Sequence, residues 1–89
     1  MATHKSALKR YRQSLARRER NRQVKGGIRK GTKRVYAAVE AGDAEAAQEW
    51  LQVTIKRLDK AAQSGVIHKN NAARRKSRLT RLVNSAAAQ

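Results

Sequence analysis

Arg18, Arg22, Lys25, Arg29 and Lys33 follow one another at steps of four, three, four and four, a spacing that lines five cations along one side of an α-helix. Rows of charge on a helix are ordinarily solvated faces with alternating signs and partners one turn away. Here the acids are missing, because residues 1–34 hold thirteen Lys and Arg against Glu19 alone. Like charges placed in this way repel one another, and a bound polyanion relieves the repulsion. Arg outnumbers Lys in the row, and its planar fork matches phosphate oxygens where an ammonium offers only a point charge. A second basic segment, residues 66–89, carries six cations and no acid. The chemistry these two segments offer is phosphate binding.

Catalytic chemistry has little to stand on. His4 and His68 lie in different segments, and neither basic segment contains a pair of carboxylates. Gly26, Gly27 and Gly31 lack the preceding strand and the Lys-Ser/Thr ending of a phosphate-binding loop. With zero cysteines, disulfides, thiolate metal sites and cysteine nucleophiles drop out. No enzyme activity, cofactor, metal or small-molecule substrate is expected. Tyr11, Tyr36 and Trp50 are the only aromatic residues. The last two are expected inside the bundle, so recognition should rest on phosphates and shape more than on base stacking. Asn21, Asn70, Asn71, Ser6, Ser77 and the two histidines are able to add hydrogen bonds to riboses or phosphates, or to serve as caps and ordinary surface residues.

The basic segments need a scaffold, and the stretch from Asp43 to Ser64 supplies its centre. Ala44, Ala47, Leu51, Ile55, Leu58 and Ala62 keep one helical face apolar, with Trp50 and Thr54 widening it. Asp43 is a good N-cap, Glu45 suits the first turn, and Gly65 offers a left-handed stop. This region is nearly neutral, with three Lys and Arg against five acids over residues 35–65. Upstream, composition favours helix from Ser6 to Ala41. Val24, Ile28, Thr32, Val35 and Val39 carry one stripe through the glycines, each of which costs about 1 kcal/mol against Ala in a helix interior. A continuous but weakened helix is expected there. Leu8, Tyr11 and Leu15 form another stripe, turned by roughly 140° at ~100° per residue, and Arg17 to Gln23 is polar on every side. Residues 24–41 should therefore pack on the central helix, while residues 1–23 project as a basic arm that orders on a partner.

Gly42 and Asp43 force an antiparallel turn between the first two helices, 6–41 and 43–64. After Gly65, Val66 and Ile67 form an apolar plug. A third helix over about 70–85 follows, with Ala72, Leu79, Leu82, Val83 and Ala86 on one face and Asn70, Arg74, Ser77, Arg78 and Arg81 opposite. The fold class is all-α, a single-domain three-helix bundle with an over-long basic first helix. No Pro or Phe is present, and no period-two alternation supports a strand. At 89 residues and a net charge of +16, the chain calls for a large anionic partner. No stretch approaches the roughly 20 apolar residues of a membrane span, and Met1 to Lys5 lacks a signal peptide's apolar region. No membrane partner is expected, and the expected compartment is the cytoplasm.

His4-Lys5-Ser6-Ala7-Leu8-Lys9-Arg10, the segment Ala37 to Asp43 (AAVEAGD) and above all Gly65 to Leu79 (GVIHKNNAARRKSRL) give the chain a family resemblance. Across its whole length it resembles the bacterial small-subunit ribosomal protein numbered twenty. That resemblance implies a monomer within the small ribosomal subunit that binds small-subunit ribosomal RNA directly and early in assembly, at the base of the subunit body. By matching position it implies RNA contacts from Lys5, Lys9, Arg10, Arg12, Arg17, Arg18, Asn21, Arg22, Lys25 and Arg29. In the third helix it implies them from His68, Lys69, Asn70, Arg74, Arg75, Lys76, Ser77 and Arg78. The Gly26, Gly27 and Gly31 cluster departs from the better helix formers expected in this family. A nucleoid-type DNA-binding protein is the alternative the same charge supports, although no recognition helix, dimer seam or minor-groove wedge is evident. A cationic membrane-surface helix is disfavoured because the most basic segment has few large apolar residues.

Overall fold

The computed structural model describes residues 2–87, with side chains from Lys5 onward, so the side chain of His4 lies outside the described residues. The chain forms three helices, α1 (Ala2–Glu40), α2 (Ala44–Gln63) and α3 (Lys69–Ala87). They make a small bundle from which the first half of α1 extends, giving a longest dimension of 67 Å.

The turns follow from residues whose backbones fit them. Gly42 and Gly65 adopt left-handed φ values of 73° and 80°. Both stops close in the same way, with the following amide reaching back: Asp43 N donates to Ala38 O at 2.9 Å and Val66 N to Ala61 O at 2.9 Å. These bonds satisfy carbonyls that a helix end otherwise leaves unpaired. Asp43 also opens α2, its Oδ1 accepting from Ala46 N at 3.0 Å. One residue thus ends α1 and begins α2. At the start of α3, His68 takes the capping position, with Nδ1 accepting from Asn70 N at 3.1 Å and its carbonyl accepting from Ala72 N at 3.1 Å.

The core is built from Ile28, Val35 and Ala38 of α1, Ala47, Leu51, Leu58 and Ala61 of α2, and Ala72, Leu79 and Val83 of α3. α2 is the element on which the other two mainly pack. Its buried face is turned slightly from the expected one. Thr54 and Ala61 are fully buried, Ile55 and Ala62 only half-buried, and Ala44 exposed. The cause is a notch in α1. Gly31 lies directly against Thr54, and a Cβ there would overlap Thr54 Oγ1 and stand 3.3 Å from Thr54 Cβ. The buried hydroxyl is satisfied within its own helix, donating to Trp50 O at 2.7 Å. Beside it, Arg57 Nη1 donates to Gly27 O at 2.7 Å. The glycine run therefore seats α2 against α1, and α1 continues through it unbroken.

Candidate nucleic-acid interface

Because α1 is one helix, the cations spaced at three and four share a side in three dimensions. Arg17, Arg18, Asn21, Arg22, Lys25 and Arg29 border an open groove along α1 with Ser14 and Gly26. Lys25 and Arg29 also border a second groove, between α1 and the start of α3, whose other wall includes His68, Asn71 and Arg75. Asn71 and Arg75 lead into a third, with Thr32 and Tyr36 on one side and Arg74 and Arg78 on the other. The three share residues end to end and form one trough crossing from α1 to α3. No Asp or Glu lines any of them.

Hydrogen bonds inside the trough fix its cations without neutralising them. Arg75 Nε donates to Asn71 Oδ1 at 2.7 Å, and Arg74 Nε donates to Asn70 O at 3.4 Å. Each guanidinium keeps its terminal nitrogens for a ligand. Among the described residues the ion pair is elsewhere, between Lys76 Nζ and Asp59 Oδ1 at 2.7 Å. Lys76 is thereby drawn toward α2, away from the trough.

The structure distributes the remaining expected contacts over two further regions. Lys5, Lys9, Arg10 and Arg12 stand exposed on the projecting part of α1, where residues 5–20 are all exposed. Lys69, Asn70 and Ser77 are exposed on α3 but line none of the three grooves.

Other trough residues come from outside the contacts implied by the resemblance: the sequence pattern puts Thr32 in the packed stripe of α1, and Asn71 among the residues able to add hydrogen bonds. Both belong to the trough walls, and Tyr36, expected in the bundle, is 49% exposed beside Arg74 and Arg78. The reason is rotation: Val35 is fully buried, and its neighbour lies about 100° around the helix. Trp50 does stay half-buried, with the Arg34 guanidinium 5.8 Å from its ring centroid. Among the described residues, no three His, Cys, Asp or Glu side chains gather as a metal-ligand set. No described helix is long and apolar enough to cross a membrane.

A sequence model of the family described as "Ribosomal protein S20" matches residues 2–84. Among individual relatives, "Small ribosomal subunit protein bS20" of Geobacter metallireducens is 52% identical over 85 residues, spanning 96% of this chain and 98% of its own length. The proteins of the same description from Geotalea daltonii and Trichlorobacter lovleyi are each 54% identical over 85 residues, with the same coverage. All the cations of both basic segments and the neutral helix between them fall within the match, so the bundle and its trough are compared as a unit. On that coverage and identity, the chain belongs to the ribosomal protein S20 family.

Proposed function

We propose that this protein is a structural constituent of the small ribosomal subunit that binds small-subunit ribosomal RNA directly, through phosphate and shape contacts, and helps the particle assemble. The observation that carries the reading is the acid-free trough joining α1 to α3 in a chain of net charge +16. RNA strands brought together in a particle repel through their phosphates. A rigid bundle that places Arg22, Lys25 and Arg29 on one wall and Arg74, Arg75 and Arg78 on the other neutralises phosphates on both sides and releases their counterions. The exposed turns of α1 over residues 5–20 extend this reach by roughly 24 Å at ~1.5 Å per residue. They present Lys5, Lys9, Arg10 and Arg12 to RNA beyond the bundle. Arg17, Arg18 and Asn21 join the two regions, and His68 stands in the wall of the middle groove. Lys69, Asn70 and Ser77 meet RNA from exposed positions of α3 outside the trough, and Lys76 does so by exchanging its Asp59 partner for phosphate. The protein acts as a monomer within the particle, in the cytoplasm.

The test is a binding titration against small-subunit ribosomal RNA, an unrelated structured RNA and duplex DNA, each over a salt series. A large advantage for the ribosomal RNA at physiological salt supports the proposal. Equal affinities with equal salt slopes would make the chain a general nucleic-acid neutraliser and overturn it.

A further inference from the structure

Leu8, Tyr11 and Leu15 are 48%, 62% and 43% exposed, on a part of α1 where every residue from 5 to 20 is exposed. Their relation to the cationic row becomes visible once α1 is known to be unbroken from Ala2 to Glu40. Leu8, Tyr11, Leu15, Arg18, Arg22, Lys25 and Arg29 follow at steps of three, four, three, four, three and four. That spacing keeps all seven on one face of a helix. The apolar stripe and the row bordering the trough are consecutive parts of a single surface.

We propose that this surface meets RNA along its whole length, with Leu8, Tyr11 and Leu15 lying against ribose edges in a shallow minor groove while the arginines beyond them hold phosphates. The inference deepens the ribosomal RNA-binding reading and rests on it. Charge decides the occupant. At ~100° per residue, Lys5, Arg12 and Arg18 flank the stripe, with Lys9, Arg10 and Arg17 on the other sides of the same helix, and Glu19, the sole acid of residues 1–34, is engaged by Gln23 Nε2 at 3.4 Å. A second copy of the chain would bring +16 against +16. A nucleic acid offers anionic oxygens for the rim and uncharged sugar carbon for the centre of the same patch. The A-form minor groove is wide and shallow and displays sugars, whereas the minor groove of B-DNA is narrow. The stripe thereby adds discrimination for RNA shape to the sequence-independent pull of the charges.

The experiment compares the Leu8→Ala/Tyr11→Ala/Leu15→Ala variant with wild type and with Arg22→Ala, on small-subunit ribosomal RNA and on duplex DNA, over a salt series. Alanine favours helix at least as well as Leu and Tyr, and the melting temperature of the bundle reports that the fold is retained. The triple variant is expected to bind ribosomal RNA about tenfold more weakly with an unchanged salt slope and unchanged affinity for DNA. Tyr11→Phe, which keeps the ring, retains wild-type affinity. Wild-type affinity of the triple variant for ribosomal RNA, or equal losses on RNA and DNA, overturns the stripe's role while leaving the phosphate contacts standing. Wild-type protein that fails to prefer ribosomal RNA over DNA overturns the underlying reading, and the stripe proposal with it.

Discussion

Gly31 of α1 and Thr54 of α2 are packed so closely that a single added methyl group would collide with the threonine hydroxyl. The contact lies in the core, where Thr54 is fully buried and holds its hydroxyl on Trp50 O. Gly31→Ala gains helix propensity but must displace Thr54, and overpacking of this kind costs about 1–3 kcal/mol. At Gly26 an added Cβ meets nothing within 4 Å. Gly26→Ala should therefore stabilise by about 0.5–1 kcal/mol. Thermal melts of the two variants should shift in opposite directions, and Thr54→Ala should relieve part of the Gly31→Ala penalty. Equal stabilisation by both alanines would remove the close seat of α2 on α1 from the account.

Two arginines of similar appearance in the sequence have different duties. Arg57 is half-buried and donates to Gly27 O, whereas Arg22 is exposed on the groove along α1. Arg57→Ala should lower stability by about 1 kcal/mol and leave the salt dependence of RNA binding unchanged. Arg22→Ala should leave the melting temperature unchanged, weaken RNA binding and reduce the salt slope by about one unit. Denaturant unfolding and salt-series titration of both proteins separate the roles. A full-unit loss of slope for Arg57→Ala would contradict its inward assignment.

His68 opens α3 by accepting the Asn70 amide. Its removal leaves that donor without its cap, so His68→Ala should cost about 1 kcal/mol in stability. Asn is a strong capping residue, and His68→Asn should restore most of the loss. If stability does not change with either residue, the ring's contribution at this position lies outside the fold.

The projecting half of α1 has no core beneath it, and an isolated helix of this length is marginal in water. Circular dichroism of the free protein should show less helix than α1, α2 and α3 contain together, with helix gained when ribosomal RNA is added. Amide exchange should be fast over residues 5–20 without RNA and slow with it. Complete protection of these residues in the free protein would refute ordering on RNA.

Much of this architecture can be read from local signals. Gly42, Asp43 and Gly65 mark the helix ends by backbone preference alone, and the stripe through Val24, Ile28 and Val35 shows which side of α1 is buried. What periodicity leaves undecided is the choice among neighbours about one turn apart. Thr54 displaces Ile55 from the centre of the core because a glycine on another helix leaves room for it. Tyr36 turns outward because Val35 has taken the inward position. Lys76 is indistinguishable in sequence from its basic neighbours, and its pairing with Asp59 depends on how α2 and α3 lie together. In the candidate interface the cations of α1 are legible as a row, whereas Thr32 and Asn71 become wall residues only when α3 is laid beside α1.

The central claim is that the trough side of the bundle faces ribosomal RNA, and the absence of cysteine from the chain allows it to be tested with a single introduced tether. Gly26→Cys places a thiol in the groove beside Arg22 and Arg29, with open space around its Cβ. Gln52→Cys places one on an exposed position of α2, about 160° around that helix from buried Thr54 at ~100° per residue. An iron chelate attached to each thiol generates hydroxyl radicals within assembled small subunits, and RNA strand scission is then mapped. Strong, localised cleavage of small-subunit ribosomal RNA from Gly26→Cys, with weak cleavage from Gln52→Cys, is the expected result. Cleavage that is equal from both positions, or stronger from Gln52→Cys, would contradict the assignment of the trough as the RNA-binding face.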